Sequence, residues 1–145
     1  MHRDTLQWVA ALDIMLDLSP SHLVPQHTRP LHGEETIRGI VTAYRDAIQY
    51  VHDQTVRYMN KGLTGNQIAE VVKLPPHLQS HPYLIEYYGT VEWSVKAVYN
   101  GYIGWFSGRP AELHPLPVRD EARMMVQLAG GRLCYLHYTC FKSCF

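Results

Sequence analysis

The sequence lacks the features that mark a nucleic-acid-binding or membrane-spanning chain. Its 13 Lys and Arg residues are balanced by 13 Asp and Glu residues, so it has no basic excess for non-specific nucleic-acid binding or for an anionic membrane surface. No apolar run approaches the roughly 20 residues that span a bilayer. The N-terminal residues lack the apolar stretch and cleavage site of a signal peptide, so we expect no export signal.

Several catalytic and metal-binding signatures are also missing. The glycines fit no phosphate-binding loop, and there is no G-x-S-x-G nucleophile elbow. The nine histidines include no H-x-H, no H-E-x-x-H and no Cys/His finger spacing. The three cysteines, Cys134, Cys140 and Cys144, follow a C-x5-C-x3-C pattern that matches no zinc or redox motif, which predicts free thiols in a loose tail.

The composition combines many aromatic residues with few charged ones. Charged residues make up 18% of the chain, against about 25% in a typical soluble domain. Ten tyrosines and three tryptophans accompany this shortfall. Because interfaces are depleted in charge and enriched in aromatics, the composition indicates a surface that another chain or domain covers.

The pattern of apolar residues predicts a mainly α fold. Asp4 caps a helix that reaches Leu18, and Leu23-Val24 forms a brief strand or extended segment before a polar turn. A long helix extends from Gly33 to Asn60, with Gly62 in the left-handed conformation after its end.

The second half of the chain predicts three more helices. Thr64 and Gln67 form a capping box at the start of a short helix that ends at Val72. A second long helix, rich in aromatics on more than one face, is expected from Pro82 to near Trp105. The last helix covers 118–128.

Three histidines and one helical segment are candidate binding residues. His77 and His81 have the spacing of one helix face, but the neighbouring prolines favour surface loop histidines. His27 follows the short strand in a polar turn, where a ligand would be rigidly held, although a loop histidine without a binding role is the simpler interpretation. The 63–72 segment is similar to the first helix of a helix-turn-helix, but 77–83 has no Lys or Arg to contact DNA.

Seven strings, in order, resemble the linear alkyl sulfatases (SDS-hydrolase type) of the metallo-β-lactamase superfamily, over about residues 5–131. They are VPQHTRP (24–30), YRDAIQYVHDQT (44–55), YMNKGLT (58–64), LPPHL (74–78), HPYL (81–84), EYYGTVEWSV (86–95) and YNGYIGWF (99–106). That family combines a metallo-β-lactamase catalytic domain, a helical dimerisation domain and a sterol-carrier-like domain. The resemblance implies that 1–32 is the end of a catalytic domain, 33–131 a dimerisation domain and 132–145 a divergent tail.

The resemblance also implies site residues and partners. His27 stands where the family supplies the late histidine ligand of a two-zinc site, and Arg29 could face a sulfate ester or form a structural ion pair. The family's H-x-H-x-D-H metal motif is absent from these residues. We therefore expect part of an alkyl sulfatase that is inactive alone and holds zinc only weakly, forming a homodimer or pairing with a full-length relative. A non-catalytic helical dimerisation module is the alternative.

Overall fold

A computed structural model describes residues 4–106 and 108–130. Its described part is mainly helical, with one small sheet, as the sequence predicts. Its α-helices and strands are α1 (Thr5–Asp17), β1 (His22–Leu23), β2 (Leu31–His32), α2 (Glu34–Met59), α3 (Gly65–Val71), α4 (Pro76–Gln79), α5 (Val91–Ile103) and α6 (Val118–Leu128). Single 3-10 turns occur at Pro82–Leu84 and Pro110–Glu112.

Helix α1 begins as predicted, at an aspartate cap, and packs along α2. The Asp4 carboxylate accepts hydrogen bonds from the backbone N–H groups of Leu6 and Gln7, at 2.9 and 3.1 Å. The two helices are also joined by an ion pair between Arg45 Nε and Asp13 Oδ1, 3.2 Å apart. Because both partners are partly exposed, we attribute the packing mainly to apolar contacts rather than to this pair.

Helix α2 is the central element and confirms the long helix expected between Gly33 and Asn60. Its 26 residues extend for about 39 Å. Two glutamates in its first turn complement the helix dipole, and Gly62 adopts φ +82° just beyond its end, as predicted. Its buried face comprises Ile37, Val41, Ala43, Ala47, Val51, His52 and Thr55.

Helices α3 and α5 complete the main core against the second half of α2. The capping box of α3 is present, with the Thr64 N–H donating to Gln67 Oε1 at 2.9 Å. Gly65 allows close packing, since a Cβ there would lie 3.1 Å from the Tyr99 ring. The core cluster that joins the three helices consists of Val51, Ile68, Ala69, Val72 and Val95.

The prediction of one long helix from Pro82 to near Trp105 is wrong. Its first part is a 3-10 turn at Pro82–Leu84 followed by the non-helical stretch 85–90, and a separate helix, α5, begins only at Val91. At its other end α5 stops at Ile103, because Gly104 adopts φ +92°.

Local capping explains where this helix is interrupted. The Thr90 hydroxyl accepts a hydrogen bond from the Trp93 N–H at 3.1 Å, and the Glu86 carboxylate accepts one from the Val91 N–H at 2.6 Å. These two side chains satisfy N–H groups that a continuous helix would have bonded internally. Gly89, directly before the cap, lowers the helical preference further.

The strand prediction was shifted and incomplete. Where Leu23-Val24 was expected, the strand is His22–Leu23, and it pairs antiparallel with Leu31–His32, which the sequence pattern did not reveal. A two-residue strand is too short to show an alternating pattern. Helix α6 spans Val118–Leu128, as predicted.

The described residues form two compact units, divided between Gly108 and Arg109. The first contains α1 to α5 with the hairpin, and the second contains α6. Among the described helices, none combines the length and hydropathy needed to cross a membrane. The prediction of free thiols at Cys134, Cys140 and Cys144 concerns residues outside the described part.

Candidate functional site

The first candidate site is the tip of the β1–β2 hairpin. The strands pair in the register His22–His32 and Leu23–Leu31, which leaves 24–30 as the connecting loop. His27 and Arg29, the two site residues expected from the sequence, both lie in this loop and are exposed. The structure therefore places the two residues on one short loop, two positions apart.

The base of the hairpin is anchored to the helical core. Leu31 is buried and packs with Ile37 and Val41 of α2. The Gly33 N–H donates to the Ser21 carbonyl at 2.9 Å, which closes the hairpin at its open end. The loop thus projects from a fixed base, an arrangement typical of ligand-bearing loops.

A pair of histidine rings, which sequence reasoning missed, stands at the base of this hairpin. The rings of His22 and His32 lie edge to face with centroids 5.0 Å apart. Only the strand register brings them together, so no local spacing could have revealed the pair. Across residues 4–106 and 108–130, no three His, Cys, Asp or Glu side chains are grouped closely enough to hold a metal ion. The donors described therefore do not by themselves make up a zinc site.

The other two histidines considered from the sequence have local surroundings. His77 lies in α4, a single helical turn, rather than on the face of a long helix. His81 caps the following 3-10 turn, where its Nδ1 accepts a hydrogen bond from the Tyr83 N–H at 3.3 Å. This contact gives His81 a structural role in the turn.

The second candidate site is an open cleft of about 900 Å³ in the first unit. Its walls are α1, α2, α5 and the 83–90 segment. The volume is in the range of small-molecule pockets. Its aromatic lining consists of Trp8, Tyr44, Tyr83, Tyr87, Tyr88 and Tyr102.

A chain of polar side chains lies on the wall of this cleft. His52 Nε2 is 2.8 Å from the Tyr102 hydroxyl, and His52 Nδ1 is 2.8 Å from Asp53 Oδ1. His52 is only 6% exposed, whereas Tyr102 is 57% exposed. Sequence reasoning did not single out His52, although its position between Ile48 and Thr55 on the apolar face of α2 was a usable signal.

The two carboxylates of the cleft lining both have hydrogen-bond partners. The lining includes two carboxylates, Asp4 and Glu86, and no Lys or Arg among the described residues. Both carboxylates accept backbone hydrogen bonds, Asp4 from α1 and Glu86 from Val91. The described lining is therefore mainly apolar and aromatic and has no Lys or Arg to bind an anion, which suits a protein interface better than an anionic ligand.

The aromatic side chains at the cleft rim are largely exposed. Tyr87 and Tyr88 are 85% and 94% exposed, and Trp8 is 44% exposed.

Residues 64–137, which include α5 and most of this rim, match the family model described as alkyl sulfatase dimerisation. The chain belongs to this family. The resemblance to alkyl sulfatases expected from the sequence is thereby confirmed.

Relatives in this family cover most of the chain. It is 50% identical over 131 residues to a linear primary-alkylsulfatase of Pseudomonas, an alignment that covers 90% of this chain and 25% of that relative. It is 36% identical over 132 residues to the alkyl/aryl-sulfatase BDS1 of Saccharomyces cerevisiae, with 89% and 20% covered. The chain therefore spans about a quarter or less of the length of these relatives.

A solved structure is similar in fold as well as in sequence. The stereoselective inverting sec-alkylsulfatase Pisa1 from Pseudomonas superimposes with a TM-score of 0.82 and 33% sequence identity. The match covers 94% of this chain and 22% of that enzyme. The similarity in fold therefore extends beyond the 64–137 segment to most of the chain, which corresponds to about a fifth of that longer enzyme.

Proposed function

We propose that this chain is the dimerisation domain of a zinc-dependent alkyl sulfatase, an enzyme that hydrolyses primary alkyl sulfates such as SDS to alcohol and sulfate. The observation that most supports this proposal is the aromatic cleft, because most of its rim lies inside the segment that matches the dimerisation family. In this proposal the chain forms a homodimer, or pairs with a full-length relative, and is inactive alone.

The proposal divides the chain as the resemblance does. Residues 1–32, with α1 and the first strand, are the end of a catalytic domain, residues 33–131 are the dimerisation domain and residues 132–145 are a divergent tail. The coverage of only 20–25% of the relatives' length supports the assignment of the remaining catalytic parts to other sequence.

His27 is proposed as one ligand of a two-zinc site in the assembled enzyme. This assignment is supported by the position of His27 on a loop whose base is anchored by the buried Leu31. A catalytic zinc takes about three protein ligands and activates a bound water, so the other donors would come from outside the described residues. Arg29, two positions along the same loop, is proposed to contact the sulfate group, for which a guanidinium is well suited.

A chimaera tests this proposal directly. The matching segment of the 50%-identical Pseudomonas linear primary-alkylsulfatase is replaced by residues 5–131 of this chain, and zinc content and dodecyl sulfate hydrolysis are measured. We expect hydrolysis in the parent chimaera, loss of zinc and of hydrolysis with His27→Ala, and weaker substrate binding with Arg29→Ala.

His77→Ala is the matched control, because this exposed histidine lies on a helical turn away from the hairpin loop in sequence. It should leave both zinc content and hydrolysis unchanged. A His27→Ala chimaera that retains full zinc would contradict the ligand assignment.

The alternative is a non-catalytic homodimerisation module. It is favoured by the absence of three grouped metal donors in the described residues. A chimaera that dimerises but neither binds zinc nor hydrolyses dodecyl sulfate would support this alternative, while stoichiometric zinc with turnover in the isolated 145-residue chain would overturn it.

A further inference from the structure

The proposed homodimer needs a surface that the two copies share, and the aromatic cleft is a candidate for that surface. We propose that residues 85–90, here called the lip, insert Tyr87 and Tyr88 into the cleft of a second copy, while the second copy's lip does the same in return. This proposal rests on the proposed homodimer and adds its contact surface. A two-fold axis beside the lip would make one patch serve both copies.

The exposure of the lip is the first support. Tyr88 and Tyr87 have the highest exposed fractions among the large aromatic side chains of the described residues, at 94% and 85%. Ile85 beside them is 52% exposed. Tyrosine is enriched among residues that carry binding energy at interfaces, and adjacent exposed aromatics are costly to leave in water.

The backbone of the lip is already held in place. The Glu86 carboxylate bonds the Val91 N–H at 2.6 Å, the Tyr87 N–H bonds the Ile85 carbonyl at 2.9 Å, and Thr90 caps α5. A pre-ordered segment loses less conformational entropy on binding than a flexible one. The ordering of the lip on binding therefore costs less affinity than the ordering of a flexible loop would.

The cleft offers an incoming tyrosine both an apolar wall and a polar contact. Ala97 and Val98 of α5 line it beside the paired Tyr102 hydroxyl and His52. A buried tyrosine hydroxyl needs a hydrogen-bond partner, and the hydroxyl of Tyr102, a residue that is 57% exposed, can form a second hydrogen bond beside its bond to His52. The lip carries one carboxylate, Glu86, which accepts a hydrogen bond from the Val91 N–H of its own chain, and the inserted Tyr87 and Tyr88 side chains are uncharged.

The buried area is sufficient for a specific dimer. An aromatic side chain buries about 150–250 Å², so Tyr87, Tyr88 and Trp8 from both copies contribute on the order of 1,000 Å². That figure reaches the size expected of a biological interface. The lip and α5 also lie inside the segment matched by the dimerisation family.

Sedimentation equilibrium on the 145-residue chain, with a reductant present so that cysteines cannot crosslink, tests the proposal. The double variant Tyr87→Ser/Tyr88→Ser removes the lip side chains. Ala97→Trp fills the cleft and leaves the sequence of the lip unchanged. We expect the dimer dissociation constant to rise at least about 100-fold in each, because every substitution acts twice across a two-fold interface.

Trp93→Ser is the matched control, because Trp93 is 60% exposed on α5 but does not line the cleft. Its dissociation constant should match that of the wild type, and circular dichroism should show that all variants keep their helices. If the wild type is a dimer and neither Tyr87→Ser/Tyr88→Ser nor Ala97→Trp weakens it, the lip exchange is overturned. The proposed dimerisation function would still stand. A wild-type monomer would overturn both.

A small apolar ligand is the competing occupant of the cleft. Saturation-transfer NMR with 1-decanol distinguishes it, because a cleft filled by the partner's lip has no room for the alcohol. We expect no transfer to 1-decanol in the wild-type dimer and transfer in the double lip variant. Strong transfer in the wild-type dimer would contradict the proposal.

Discussion

The Nε2 atom of His52 and the hydroxyl of Tyr102 lie 2.8 Å apart, although fifty positions separate the two residues in sequence. The contact joins α2 to the last turn of α5 at the wall of the cleft. His52 is nearly inaccessible to solvent, so this hydroxyl is the partner of a ring nitrogen that water reaches poorly. The pair therefore couples the shape of the cleft to the stability of the core.

Tyr102→Phe should destabilise the chain by about 1–2 kcal/mol, because it leaves a buried imidazole nitrogen without its partner. Urea unfolding followed by circular dichroism measures the change. Tyr88→Phe is the control, since the Tyr88 side chain is almost fully exposed, and it should unfold at the wild-type urea concentration when compared in the same oligomeric state. Equal stability of the two variants would show that the hydrogen bond contributes nothing.

Two glycines in helices should respond to alanine with opposite signs. Gly39 lies inside α2 with no neighbour within 4 Å of a built Cβ, so Gly39→Ala should stabilise the chain by about 0.5–1 kcal/mol. Gly65→Ala places its methyl group 3.1 Å from the Tyr99 ring and should destabilise the α3–α5 contact. Thermal unfolding of both variants checks the prediction, and a gain in stability for Gly65→Ala would contradict the close packing.

Ile68→Ala should cost about 2–5 kcal/mol, because Ile68 is completely buried in the cluster that joins α2, α3 and α5. Val71, on the same short helix, is 50% exposed, and Val71→Ala should change stability by less than about 1 kcal/mol. Urea midpoints of the two variants make the comparison. Similar urea midpoints for the two variants would contradict the assignment of Ile68 to the core.

Acidification should weaken one ion pair of α5. A hydrogen bond from Lys96 and the charge of its ammonium group lower the pKa of Glu92 below its usual range. A lowered carboxyl pKa in the folded state stabilises the fold above the ordinary glutamate pKa, and this contribution is lost as the pH falls through the lowered value. NMR titration should show the pKa of Glu92 rising in Lys96→Met, and an unchanged pKa would refute the pairing.

The helices were largely predictable because their signals are local. The cap at Asp4, the Thr64–Gln67 capping box and the glycine at position 62 each act within a few residues, and each was confirmed. The apolar spacing of α2 was also sufficient to define its full length. Such features depend on neighbours in sequence that a single chain displays.

The interruption before α5 was missed because two competing signals were read as one. The aromatic run from Tyr83 to Trp105 suggested a continuous apolar helix, whereas Thr90 and Glu86 satisfy the N–H groups of a new one. The cleft follows from this interruption, since the 83–90 segment forms one of its walls. Its position could not be inferred from helical periodicity.

Contacts between distant residues lay beyond sequence reasoning. The His22–His32 pair depends on strand register, and the His52–Tyr102 bond depends on how α5 crosses α2. His27 and Arg29 were placed by the sequence on a polar turn, and the structure puts them on an exposed hairpin loop. Their roles toward zinc and sulfate stay predictions.

Self-association is the property on which the proposed function depends. Light scattering coupled to size exclusion, in reducing buffer at micromolar concentration, measures the mass of the purified 145-residue chain. We expect twice the chain mass of 16.7 kDa. A single species at 16.7 kDa across that concentration range would contradict the assignment of this chain as a homodimerisation domain.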